Sequence, residues 1–128
     1  ASMTVTGQII GTPYYMSPEQ AMARQVEIDH RSDVYSLGAT LYELLTLRLP
    51  FKGESLQEVC SQILTKEPAL PRRVDPGIPR DLETVVLKAM EKEPERRHAT
   101  AGELAEAFFA GGERVVVLGS GPHWPTAC

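Results

Sequence analysis

Between Val34 and Leu47 the chain carries one charged side chain, Glu43. At 3.6 residues per turn, Val34, Leu37, Leu41, Leu44 and Leu45 form one apolar stripe, and Tyr35, Ala39 and Tyr42 cover most of the remainder. The helix predicted from Asp33 to about Leu47 is therefore apolar nearly all round and belongs in the middle of a fold. It is too short, and too rich in Ser, Thr and Tyr, to span a bilayer, which takes about 20 mostly apolar residues. Ser32 is read as its N-cap, and Asp33 adds negative charge where the helix dipole is positive.

The flanking sequence supplies what packs around this rod. Residues 1–16 have no helical period and the Gly, Thr and Pro content of an exposed loop. Ser17-Pro18-Glu19-Gln20 reads as a capping box opening a short helix to about Gln25. Ser55 and Glu58 form a second box, ahead of Leu56, Val59, Cys60, Ile63 and Leu64 at amphipathic spacing. Four prolines between Glu67 and Pro79 predict an irregular loop. Pro79 opens a helix with Leu82, Val85, Val86, Ala89 and Met90 on one face. Thr100 and Glu103 cap a last helix, lined by Ala101, Leu104, Ala105 and Phe108 and closed by Gly111-Gly112. Val115 to Leu118 is an isolated strand candidate, and the rest reads as an irregular tail. The expectation is an all-α fold of about five helices around one buried central helix, with a domain over residues 1–110 and a tail over 111–128.

Composition narrows the function. A chain of 128 residues, 42% hydrophobic and 23% charged, is one ordinary globular domain. A net charge of -4 with scattered basic residues argues against a nucleic-acid surface. Cys60 and Cys128 make no disulfide framework, and Cys60 is expected in the core. His30, His98 and His123 stand apart from any carboxylate or Cys at ligand spacing, so no metal site is expected. No charged-then-apolar leader is seen, the first residue is Ala1 and the first methionine Met3. A cytoplasmic piece of a longer chain is expected, with no membrane span of its own and a parent that could still be tethered to a membrane.

Gly11-Thr12-Pro13-Tyr14-Tyr15-Met16-Ser17-Pro18-Glu19-Gln20, followed by Ser32-Asp33-Val34-Tyr35-Ser36-Leu37-Gly38, resembles the protein kinase family at the end of the activation segment and the central helix of the C-terminal lobe. Pro50-Phe51 and Glu93-Pro94-Glu95-Arg96-Arg97 are further marks of that lobe in the same order. The Ser-Pro-Glu-Gln and Asp-Val-Tyr-Ser-Leu-Gly forms are most similar to bacterial Ser/Thr kinases. The resemblance implies a substrate-docking loop at Gly11, Thr12, Pro13 and Tyr15, where the Thr12 hydroxyl would bond a catalytic Asp and a Lys outside this chain. It implies an ion pair between Glu19 and Arg97, and an Asp33 that accepts hydrogen bonds from the catalytic-loop backbone. Ser2, Thr4 and Thr6 become candidate phosphorylation sites, where a phosphate would add about -1.5 to -2 charges.

The parts that transfer phosphate are missing. Kinases need a Gly-rich loop, a strand lysine paired with a helix glutamate, an H-R-D-x-x-x-x-N loop and a D-F-G motif. Gly119-Ser120-Gly121-Pro122 lacks the third glycine, Asp29-His30-Arg31 has the letters in the wrong order, and Asp-Phe-Gly does not occur. No catalytic residue is therefore assigned in this chain, and it is expected to bind no cofactor alone, ATP and Mg²⁺ belonging to the parent enzyme. Its expected partners are a protein substrate bearing Ser or Thr and the missing kinase N-lobe with its catalytic loop. The alternatives are a non-catalytic protein-binding lobe and a truncated or frameshifted remnant.

Overall fold

The computed structural model describes residues 4–5, 8–9, 13–22 and 29–117, with side chains over 13–22 and 29–112. Two short strands, β1 (Thr4–Val5) and β2 (Gln8–Ile9), pair antiparallel with Thr4 opposite Ile9. The sequence had assigned them to a loop, because two-residue strands carry no readable alternation. Six helices follow among the described residues: α1 (Pro18–Ala21), α2 (His30–Thr46), α3 (Leu56–Thr65), α4 (Pro71–Val74), α5 (Arg80–Ala89) and α6 (Ala101–Val117). A 3-10 turn spans Pro94–Arg96.

The central helix is there, but it starts earlier than predicted. Asp29, not Ser32, is the N-cap, its carboxylate accepting from the Arg31 amide at 2.9 Å. Ser32 lies one turn inside, buried. The burial pattern also corrects the stripe: Val34, Tyr35, Gly38, Ala39, Tyr42 and Thr46 face the core, whereas Leu44 is 67% exposed. Small residues explain the choice of face. A β-carbon on Gly38 would come within 2.6 Å of the Ala89 β-carbon, so glycine lets α2 and α5 approach more closely than any side chain would. Around this contact gather Met16, Phe51, Val59, Ile63, Val86 and Met90 on one side, and Val34, Ala89 and Leu104 on the other.

Two segments predicted as irregular are ordered. The proline-rich connection contains α4, with Pro71 at its first turn, and buries Ile78. The Tyr42 hydroxyl donates to Ala69 O at 2.7 Å, and Arg72 Nε to Ile78 O at 3.0 Å, so tertiary anchors supply the order that the prolines hide. Helix α6 runs through Gly111 and Gly112 to Val117, which overturns both the predicted stop and the strand reading of residues 115–117. Gly111 is a packing position: a β-carbon there would lie 2.8 Å from Leu82 Cδ2. Helix α1 stops at Ala21 with Met22 as its C-cap, short of the predicted end near Gln25, and the residues from Leu118 onward lie outside the described residues.

Candidate functional site

Among the described residues, Ser17, Glu19, Ser32 and Arg97 form a buried polar cluster where α1 meets the start of α2 and the segment before α6. Helix α1 holds Glu19 in place because its N-terminus is doubly fixed. Ser17 Oγ accepts from the Gln20 amide at 3.3 Å, and Gln20 Oε1 accepts from the Ser17 amide at 2.9 Å, completing the predicted box around Pro18. That turn points Glu19 inward, where it is 8% exposed.

Arg97 meets it from a position 78 residues away in sequence, Nη1 donating to Oε2 at 2.7 Å and Nη2 to Oε1 at 2.8 Å. This is a bidentate fork, the strongest form of carboxylate pairing. The remaining guanidinium donors are also used: Nε reaches Glu91 O at 2.6 Å, Nη1 reaches Arg31 O at 2.8 Å and Nη2 reaches Lys92 O at 3.2 Å. The Tyr35 ring lies 5.1 Å from the guanidinium carbon, within cation–π range. Arg97 thus ties α1, the first turn of α2 and the segment that follows α5 into one unit.

Ser32 completes the cluster. Its hydroxyl donates to Glu19 Oε2 at 2.7 Å while accepting from Ser17 Oγ at 3.2 Å. Burial by itself would raise the Glu19 carboxyl, but the Arg97 and Ser32 hydrogen bonds outweigh it and hold the group below its ordinary value. Sequence reasoning paired Glu19 with Arg97 and missed the serines, which it used as helix caps.

The loop ahead of α1 is fastened to the central helix from the other side. Ser36 Oγ donates to Tyr15 O at 2.6 Å, and the Tyr15 hydroxyl donates to the Glu43 carboxylate. That hydrogen bond, with burial and the nearby charge, raises the Tyr15 phenol above its ordinary value. Glu43, the lone charge of the central helix, is a site residue that the sequence signalled by its isolation but left without a role.

Of the predicted positions, Pro13 and Tyr15 are half-buried, Tyr15 bonded to α2, and Asp33 is exposed on the first turn of that helix. Thr4 sits in β1, while Gly11, Thr12, Ser2 and Thr6 lie outside the described residues. Along α2, Asp33, Thr40, Leu44 and the capping Leu47 share one open face at helical spacing. No group of three metal-ligating side chains occurs among the described residues, and none of their helices is long and apolar enough to cross a membrane.

Residues 2–109 match the protein kinase domain family. The chain is 48% identical over 103 residues to a probable serine/threonine-protein kinase of Streptomyces coelicolor, a match covering 80% of this chain and 15% of that protein. It is 50% identical over 103 residues to the serine/threonine-protein kinase PknB of Mycobacterium leprae, covering 80% and 16%. Against the serine/threonine-protein kinase pkn3 of Myxococcus xanthus it is 44% identical over 111 residues, covering 85% and 19%. The chain therefore spans less than one fifth of the length of these relatives.

Proposed function

The chain belongs to the protein kinase family, and on that premise we propose that it serves as the substrate-docking and helical-base portion of a bacterial-type Ser/Thr kinase domain. Its parent enzyme would move the γ-phosphate of ATP to protein Ser or Thr hydroxyls with Mg²⁺. The observation that carries this reading is the buried Glu19–Arg97 fork, which fixes the end of the docking loop to the helices at 2.7 and 2.8 Å.

Within that reading each residue has a mechanical task. Tyr15, held by Glu43 and Ser36, anchors the chain just ahead of α1 to α2, next to the Gly11, Thr12 and Pro13 positions assigned to peptide docking. Positioning of this kind, rather than covalent chemistry, supplies most of what a kinase protein contributes. Asp33, exposed at the first turn of α2, is free in position to accept hydrogen bonds from a catalytic-loop backbone, and the open face through Thr40, Leu44 and Leu47 offers that loop an apolar seat. A phosphate on Ser2, Thr4 or Thr6 would order the segment against an arginine beside the catalytic Asp.

The transfer machinery is absent from these residues, so the chain alone is expected to bind no ATP and transfer no phosphate. Purified 1–128 incubated with Mg-ATP and Ser/Thr peptides tests this directly. A transfer rate that depends on the metal and survives repurification would refute the reading.

A further inference from the structure

His98 is a core residue without a core residue's partners. It is 7% exposed, and its Nδ1 is buried with no hydrogen-bond partner. It directly follows Arg97 in the short segment between the 3-10 turn and α6, so its seating fixes the backbone from which the guanidinium reaches Glu19. We propose that His98 is an acid-sensitive latch on the Glu19–Arg97 fork: protonating its imidazole unseats the segment that presents Arg97.

The physical basis is the unmatched nitrogen. A neutral imidazole with its proton on Nε2 leaves at Nδ1 a lone pair, whose burial is tolerable. Protonation puts an N–H and a positive charge there, with no acceptor and little water, and a buried donor without a partner is costly. The charged groups around the ring do not rescue it. Lys88 on α5 opposes the cation, Glu103 on α6 favours it, and Arg97 on the same segment is already matched by Glu19. Burial first, and Lys88 second, push the imidazole below its ordinary value against the smaller pull of Glu103.

The sign follows. The unfolded chain takes up the proton at the ordinary histidine value of 6.5, before the folded chain does. The contribution of neutral His98 is thus complete above that pH and is lost as pH falls through and below it. The latch belongs to the helical base and would operate whether or not the docking reading holds.

The test is imidazole ¹⁵N chemical shifts of the 1–128 chain, followed from about pH 7.5 to about pH 5 across the ordinary histidine range. His98→Gln assigns the signal. In parallel, exchange protection of the Arg97 Nε–H, which donates to Glu91 O, is measured in the wild type and in His98→Phe. Expected are a His98 midpoint below the ordinary histidine value of 6.5 and a several-fold loss of Arg97 protection as His98 titrates, absent in His98→Phe. A His98 midpoint at or above 6.5 overturns the proposal, as does Arg97 protection that ignores the titration. Should the Phe variant fail to fold, His98→Gln supplies the non-titrating comparison.

Discussion

At Arg97 five hydrogen bonds leave one side chain, two to a carboxylate and three to backbone carbonyls. The consequence is asymmetric. Arg97→Met strands a buried Glu19 carboxylate and should cost about 3–5 kcal/mol, the usual result of removing one partner from a buried pair. Glu19→Gln should cost less, because the three carbonyls still hold the guanidinium, and the double variant should recover part of the Arg97→Met loss. Urea unfolding of the four proteins checks this. A single-variant loss within about 1 kcal/mol, the range of solvated surface pairs, would contradict the burial. Acid adds a second signature. Because the folded Glu19 carboxyl is depressed, its contribution is present above the ordinary carboxylate value of 4.5 and vanishes as pH falls through the folded one, a loss that begins at lower pH than that of His98.

At the scale of the element, α2 stops in an unusual way. Leu47 closes it with φ at 60°, donating its amide to Glu43 O at 2.7 Å, in a left-handed conformation that glycine adopts more cheaply. The residue is 85% exposed, so little packing compensates. Leu47→Gly should stabilise the chain by about 0.5–1 kcal/mol, the left-handed strain of a β-carbon outweighing the flexibility that glycine adds to the unfolded chain. A lowered thermal midpoint would show that Leu47 is packed after all. The same helix shows where sequence reading succeeds and stops. The absence of charge and the periodicity located α2, α3 and α5, and cap residues Ser17, Ser55 and Thr100 all accept the predicted amide. Which face of an all-apolar helix is buried was not legible, because it depends on Gly38 meeting Ala89 from α5. Gly111 misled for a related reason: a glycine chosen for close approach and a glycine chosen to end a helix are the same letter. Ser32 was misread likewise, since its hydroxyl serves Glu19 from one turn inside the helix that it had been expected to cap.

At the scale of the molecule, one side is finished and one is open. The core closes around Tyr35, Ala39 and Tyr42, while the opposite face of the central helix presents Leu44 and Leu47 at 67% and 85% exposure. That asymmetry suits a part that joins another, and family membership shows what kind of domain it is part of. The family was legible in four ordered motifs, and the Glu19–Arg97 pair followed from them residue by residue, because a 78-residue separation can be bridged on paper only by a known pattern. The Ser17–Ser32–Glu19 bonds and the Tyr15–Glu43 bond are tertiary contacts that no local pattern encodes. The most direct measurement is a chimera in which the matching 103-residue segment of the Streptomyces coelicolor relative is replaced by that of this chain. The account predicts a folded enzyme that phosphorylates Ser/Thr peptides with Mg-ATP and loses most of its rate on Thr12→Ala. A chimera that folds and binds ATP, yet transfers no phosphate, would contradict it.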